Sequence, residues 1–292
     1  MACPCKKLIA PAMNTRMFEN PILQDNLEKC RHYGMDIIMP DSGRLACGDV
    51  GSGKLPSEEV LVAAILKEIR YEKDMQGLKV LVTAGATQEA IDPVRFISNH
   101  STGKMGFALA KTAMQRGADV TVVAAHTSAK EPLYVNIRRV SSAADMFEAC
   151  KEEAKTADII IKAAAVADYT PVETADNKIK KSDDTMAITC KRTQDILAYL
   201  GAHKPDGQFL CGFSMETEHM LENSEKKLEK KNLDMIVANN LKVKGAGFAT
   251  DTNVVTLITK EEVKELPLMS KDEVANEILT QILQRRCPEN GQ

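Results

Sequence analysis

Between an apolar run at residues 78–82 and an amphipathic pattern that opens near Gly106 lies a polar stretch, 83–106, carrying Arg95, Asn99, Ser101, Thr102 and Lys104. Arginine and lysine donate to phosphate or carboxylate, and an amide adds two donors and one acceptor. A long polar connection between a buried strand and a helix is where an open α/β sheet turns backbone N–H groups and a positive helix end toward an anion. Two common phosphate cradles are excluded. Gly85-Ala-Thr-Gln-Glu-Ala lacks the G-x-G-x-x-G spacing, and Gly103-Lys104 is preceded by Ser98 and followed by Met105 where a P-loop needs glycine and Ser/Thr. A second group of candidates stands near the front of the chain: Pro11-Ala-Met-Asn14, then Leu45-Ala-Cys-Gly48 and Gly51-x-Gly-Lys54. Glycines at this density suit a loop that closes over something, and a thiol such as Cys47 ionises near enough to neutral pH to donate a proton.

These residues need a scaffold. After residue 75, strand patterns at 79–82, 120–124, 135–140, 158–161, 209–213 and 235–238 alternate with helix patterns at 106–116, after Ser142, at 195–200 and at 219–231. That rhythm predicts an α/β fold with a doubly wound, Rossmann-like, mostly parallel sheet. Residues 247–264 read as an antiparallel hairpin appended to the sheet, and Ser270 with Glu273 caps a final helix to about Arg286. Ahead of it, strands at 8–10 and 35–39 and helices at 22–33 and 57–71 make a smaller, partial α/β domain. The expected domains are 1–74 and 75–292, with 72–77 as the linker.

Bulk properties narrow the function classes. The chain has 292 residues, 44% of them hydrophobic and 27% charged, with a formal net charge of −3, which reads as soluble and globular and gives no electrostatic case for nucleic acid. Apolar runs such as 61–66 and 163–167 are too short to span a bilayer, and no signal peptide is visible. The eight cysteines, at 3, 5, 30, 47, 150, 190, 211 and 287, show no metal-ligand spacing, so free thiols in a reducing cytoplasm are expected and no metal ligands are assigned.

Asp92-Pro-Val-Arg-Phe-Ile-Ser-Asn-His-Ser-Thr-Gly-Lys-Met-Gly106 is closely similar to the signature of phosphopantothenate–cysteine ligases. Ala163-Ala-Ala-Val-Ala-Asp-Tyr169, Lys178-Ile-Lys-Lys181, Gly212-Phe213 and the segment from Lys227 through Lys231 to Asp234 agree in order. The Asn14 and Cys47 motifs resemble the last third of a flavin-dependent phosphopantothenoylcysteine decarboxylase. The whole chain therefore resembles the bifunctional decarboxylase/ligase of coenzyme A biosynthesis. The decarboxylase part is expected to be an N-terminally truncated remnant, because no histidine precedes Asn14 and Met1 falls ten residues before Pro11.

The resemblance implies that CTP activates the 4′-phosphopantothenate carboxylate as an acyl-cytidylate, which L-cysteine then opens. Asn99 would hold the acyl-cytidylate, Arg95 would support that loop or the second step, and Lys178 would neutralise phosphates from a mobile loop. Nucleotide contacts are implied at Ala163, Ala164, Asp168, Gln194, Asp195, Ile196, Leu197, Phe213, Lys227 and Lys231. For Phe213 a core role is equally open, and Asp195 could be a helix N-cap instead. Asn14 would bind the decarboxylase substrate and Cys47 would be its proton donor. Mg²⁺ is implied with the nucleotide, and FMN is expected in full-length relatives but not in this chain. A homodimer through the ligase domain is implied. Two other readings predict different behaviour: an NAD(P)-dependent reductase on a Rossmann-like sheet, and a non-catalytic nucleotide-binding remnant.

Overall fold

The computed structural model describes residues 4–180, 185–216, 220–240 and 250–286. Cys3, Lys181, His219, residues 247–249 and Cys287 of the expectations above lie outside them. The chain divides into two compact units, 1–72 and 73–292, two residues ahead of the division expected at 74/75.

In the first unit, β1 (Leu8–Ile9) leads through α1 (Thr15–Phe18) and α2 (Pro21–His32) to β2 (Asp36–Ile37), and β1 and β2 pair in parallel. Asn20 caps α2 by accepting from Ile22 N, and Pro21 fills the first helical position, where its missing N–H costs nothing. A hairpin of β3 (Asp41–Arg44) and β4 (Val50–Lys54) precedes α3 (Glu58–Ile69), which starts at the Ser57 cap.

The second unit runs β5 (Lys79–Ala84), β6 (Gln88–Ala90), β7 (Phe96–Ser98), α4 (Lys104–Gln115), β8 (Asp119–Ala124), β9 (Asn136–Arg139), α5 (Ala143–Glu153), β10 (Ile159–Lys162), β11 (Tyr169–Pro171) and β12 (Cys190–Arg192). It continues with α6 (Ile196–Ala202), β13 (Phe209–Glu216), α7 (Met220–Lys230), β14 (Met235–Asn240), β15 (Thr252–Asn253), β16 (Val255–Ile258), β17 (Val263–Glu265), β18 (Met269–Ser270) and α8 (Lys271–Arg286). The central sheet has the order β17-β16-β14-β13-β10-β5-β8-β9. The strands from β14 to β9 are parallel, and β16 and β17 add the antiparallel hairpin. Strand order reverses between β5 and β10, so this is the doubly wound arrangement with its switch point at that pair.

Both sheet faces are covered, and the strand alternation shows it. Val80, Val82, Ile159 and Ile161 pack with Leu109 of α4 and Ile278 of α8, whereas Leu81 and Ile160 pack with Met146 of α5 and Leu200 of α6. No described helix is long and apolar enough to cross a membrane.

Candidate functional site

Open α/β sheets bind ligands beyond the carboxyl ends of the strands at the switch point, and here β5 and β10 end side by side. Two buried threonines lock the loops leaving them. Thr83 Oγ1 accepts from Ala164 N at 3.0 Å, and Thr87 Oγ1 accepts from Ala167 N at 3.0 Å. Ala165 N donates to Gly85 O at 2.9 Å and Thr87 N donates to Ala165 O at 3.2 Å, so the two loops zip together. Gly85 is required: its φ is +84°, and a Cβ there would lie 2.4 Å from His126 O.

Past this zip the chain forms the β6–β7 hairpin and then reaches Asn99, whose Nδ2 donates to Ala165 O at 3.3 Å. Gly103, at φ +80°, opens α4 without a side-chain cap, so the helix start faces the site with backbone N–H groups. The cavity there holds about 500 Å³. Asn99, Ala163, Ala164, Asp168, Phe213 and Lys227 line it. Glycines in the sheet let the neighbours close in: a Cβ on Gly212 would lie 2.8 Å from a Leu197 methyl group.

The remaining expected residues are not among those that line the cavity. Asp195 caps α6 through Ala198 N at 3.0 Å and pairs with Lys231 at 2.7 Å. Burial opposes ionisation of Asp195, but the Lys231 ammonium and the Ala198 N–H hold its carboxyl below the usual range. Ile196 and Leu197 are buried side chains of the core, and Gln194 is exposed. The Arg95 guanidinium is held by Asp92 and donates to Ile179 O at 3.0 Å, and Lys178 is exposed on the segment so held.

Among the cavity residues that sequence reasoning missed are Lys162, Asn239, Asn253 and Lys271. Burial first, and then the nearby Lys231 charge, push the Lys162 ammonium below its ordinary value of 10.5. Burial and the neighbouring Lys104 do the same to Lys271. Asn253 Nδ2 donates to Asn239 Oδ1 at 3.0 Å, joining β15 to β14 at the cavity edge. The site is thus cationic, with amides at its rim, and suits a polyanionic ligand. Among the described residues no group of three or more His, Cys, Asp or Glu could hold a metal.

In the first unit the β3–β4 hairpin lies on the segment that carries Asn14. Met13 N donates to Gly53 O at 2.9 Å and Thr15 Oγ1 donates to Ser52 O at 2.9 Å. A Cβ on Gly51 or Gly53 would come within 2.2 Å of Thr15 Oγ1 or Met13 O, so only glycine allows this approach. Asn14 Oδ1 accepts from Met17 N and caps α1, and Cys47 is exposed in the hairpin turn with Sγ 3.7 Å from Asp49 Oδ2. By contrast, burial pushes the Cys150 thiol up to about 12, which makes it inert.

Residues 75–285 match the DNA/pantothenate metabolism flavoprotein C-terminal domain, and residues 1–70 match the Flavoprotein family. The coenzyme A biosynthesis bifunctional protein CoaBC of Bacillus subtilis (strain 168) is 47% identical over 278 residues, covering 94% of this chain and 68% of that protein. The chain belongs to this family. A cysteine/cysteine sulfinic acid decarboxylase from an unknown prokaryotic organism is 43% identical over 289 residues, covering 97% of this chain and 80% of that protein. The crystal structure of the C-terminal domain of a CoaBC protein superposes with a TM-score of 0.63 at 44% identity, covering 73% of this chain and 98% of that one. The family match corrects one expectation. Residues 1–70 match the Flavoprotein family and fold as a compact unit, and the match points to FMN for this part rather than to a segment without it.

Proposed function

We propose that the second unit ligates 4′-phosphopantothenate to L-cysteine using CTP, within coenzyme A biosynthesis. What carries this reading is the cationic, amide-rimmed cavity at the switch point, with Asn99 hydrogen-bonded to the Ala165 carbonyl on its wall. In the first step a carboxylate oxygen of 4′-phosphopantothenate attacks the α-phosphorus of CTP and pyrophosphate leaves. In the second the cysteine amine attacks the acyl carbon of the mixed anhydride, CMP leaves, and the amine proton is lost to solvent.

Both steps build negative charge on oxygen, so positioned cations and amides should supply most of the catalysis. Asn99 would hold the acyl-cytidylate, Asp168 and the 163–164 backbone would contact the nucleotide, and Phe213 would flank the cytidine. Lys227, with Lys231 beside it and Lys178 from the tethered segment, would face the phosphates. Mg²⁺ would arrive on phosphate oxygens.

For the first unit the reading is decarboxylation of the ligation product, with Asn14 on the substrate and Cys47 as proton donor. The residues brought together there, Met13–Thr15 under Gly51 and Gly53, suit a substrate lid. We place the protein in the cytoplasm as a homodimer through the second unit, where the exposed Val94, Phe96, Tyr169 and Val172 of the hairpin region and β11 offer an apolar face to a second copy.

Pyrophosphate release from the purified protein tests the ligase reading. It should require CTP, 4′-phosphopantothenate and cysteine together. NAD(P)H oxidation instead would establish a reductase, and a folded protein without turnover would be a nucleotide-binding remnant.

A further inference from the structure

Lys178 is exposed and lies outside any strand or helix, yet the segment around it is fastened at four points, three of them through its backbone. Thr174 Oγ1 donates to Ala90 O at 3.2 Å and Ala175 N donates to Ile91 O at 3.0 Å. Ile179 N donates to Asp92 Oδ2 at 3.1 Å, and Ile179 O accepts from Arg95 Nη2 at 3.0 Å. All the opposing groups belong to the β6–β7 hairpin and its turn.

Asp92 is the hub. It is 2% exposed, and a buried carboxylate is tolerated only when its oxygens are fully engaged. Its Oδ1 accepts from Val94 N and Arg95 N, and its Oδ2 accepts from Arg95 Nε at 2.9 Å as well as from Arg95 Nη2. The Arg95 guanidinium above all, and then the backbone N–H groups, keep Asp92 well below the usual carboxylate range against its burial. A turn stabilised for its own sake would need only the local bonds. Here both backbone groups of a residue more than eighty positions away are captured as well. From the same turn, β7 runs straight to Asn99.

We propose that Asp92 and Arg95 form a latch, a pair of positioning residues that fix the 174–180 segment so that Lys178 meets the cavity in register with Asn99. This rests on the ligase reading for the role of Lys178, but the latch itself can be tested without turnover.

In the full-length chain, limited trypsin digestion read by mass spectrometry reports cleavage after Lys178 and Lys180. Arg95→Ala and Asp92→Asn should each speed it about tenfold or more, the factor expected on losing charge-assisted hydrogen bonds. Thr174→Val, a milder change on an exposed residue, should speed it a few-fold. Wild-type cleavage rates in variants that melt at the wild-type temperature would overturn the latch. The positioning role is read from a double-mutant cycle with Lys178→Gln. Arg95→Ala should lower kcat about tenfold in the wild-type background, with little change in KM for CTP, and should have no further effect beside Lys178→Gln. Additive losses would overturn it, because Arg95 would then act other than through Lys178. A wild-type protein without ligase turnover would sink the ligase reading, while the cleavage rates would still decide the latch.

Discussion

At the scale of single residues, Asn99 and Lys162 divide the work differently. The Asn99 amide both donates and accepts, which suits a mixed anhydride with a phosphoryl and an acyl oxygen, and a carboxylate there would repel both. Asn99→Asp is therefore expected to form acyl-cytidylate but to pass it to cysteine at least about a hundredfold more slowly, in line with the loss of a positioned donor. Trapped intermediate in quenched single-turnover reactions checks this, and normal cysteine turnover would remove Asn99 from the second step. Lys162 is held below its ordinary value of 10.5 by burial and by Lys231. A bound phosphate would raise it, so CTP binding should take up protons and weaken as pH climbs through the range, below 10.5, in which the unliganded Lys162 loses its proton. Calorimetric titration across pH should show that fall, and Lys162→Met should flatten it and weaken binding about tenfold at neutral pH. A profile unchanged by the substitution would place Lys162 beyond the nucleotide. Asn99, Asp168 and Lys227 were legible because each belongs to a local motif. Lys162 was not, since it reads as the last residue of a buried strand. Asn239 and Asn253 are single polar residues that only the pairing of distant strands brings together.

At the scale of elements, the sheet was legible for a physical reason: strands buried on both faces become unbroken apolar runs such as 159–161, and no other pattern fits the spacing. The hairpins that shape the site were not. Phe96–Ser98 is exposed throughout, and Tyr169–Pro171 and Cys190–Arg192 are short, so no alternation marks them. Contact between helix ends was equally hidden. Gly201 near the end of α6 has no room for a side chain, because a Cβ would sit 1.8 Å from Lys231 O. The fit is tightened by Asn232 Nδ2, which donates to Gly201 O at 3.0 Å. Gly201→Ala gains helix propensity of up to about 1 kcal/mol. It also forces the ends of α6 and α7 apart, and overpacking of this kind costs about 1–3 kcal/mol. The net outcome expected is a lower melting temperature together with a raised KM for CTP, because Lys231 is pulled from Asp195. Thermal unfolding and a CTP titration on the same variant check both. A stable variant with unchanged KM would mean that the Lys231–Asp195 pair does not serve the nucleotide.

At the scale of the whole molecule, the division into units locates what the second unit needs in order to stand alone. The sequence reading put the boundary at 74/75, inside the 72–77 linker, but the contacts place Lys73 and Asp74 with the second unit. Arg116, which ends α4 and is 4% exposed, explains why. Its Nε donates to Asp74 Oδ1 at 2.9 Å, and its Nη1 reaches Asn276 O and Thr280 Oγ1 on α8 at 3.2 and 3.0 Å. Lys73 Nζ adds a bond to Gln115 O at 2.6 Å, and Met75 N donates to Arg116 O at 3.0 Å. The linker is therefore a strap over the end of α4, whose Arg116 reaches on to the middle of α8, and its polar residues look like linker only because their partner lies forty positions away. A fragment of residues 73–292 should fold with the melting temperature of the second unit in the full chain and retain the whole of the proposed ligase turnover. A fragment that begins at 75 leaves a buried guanidinium without its carboxylate and should lose about 1–3 kcal/mol, or roughly 5 °C for a unit of this size. Its turnover at low temperature should be unchanged, because none of the lost groups approaches the cavity. Equal melting of the two fragments would show that water or Asn276 satisfies Arg116 in place of Asp74.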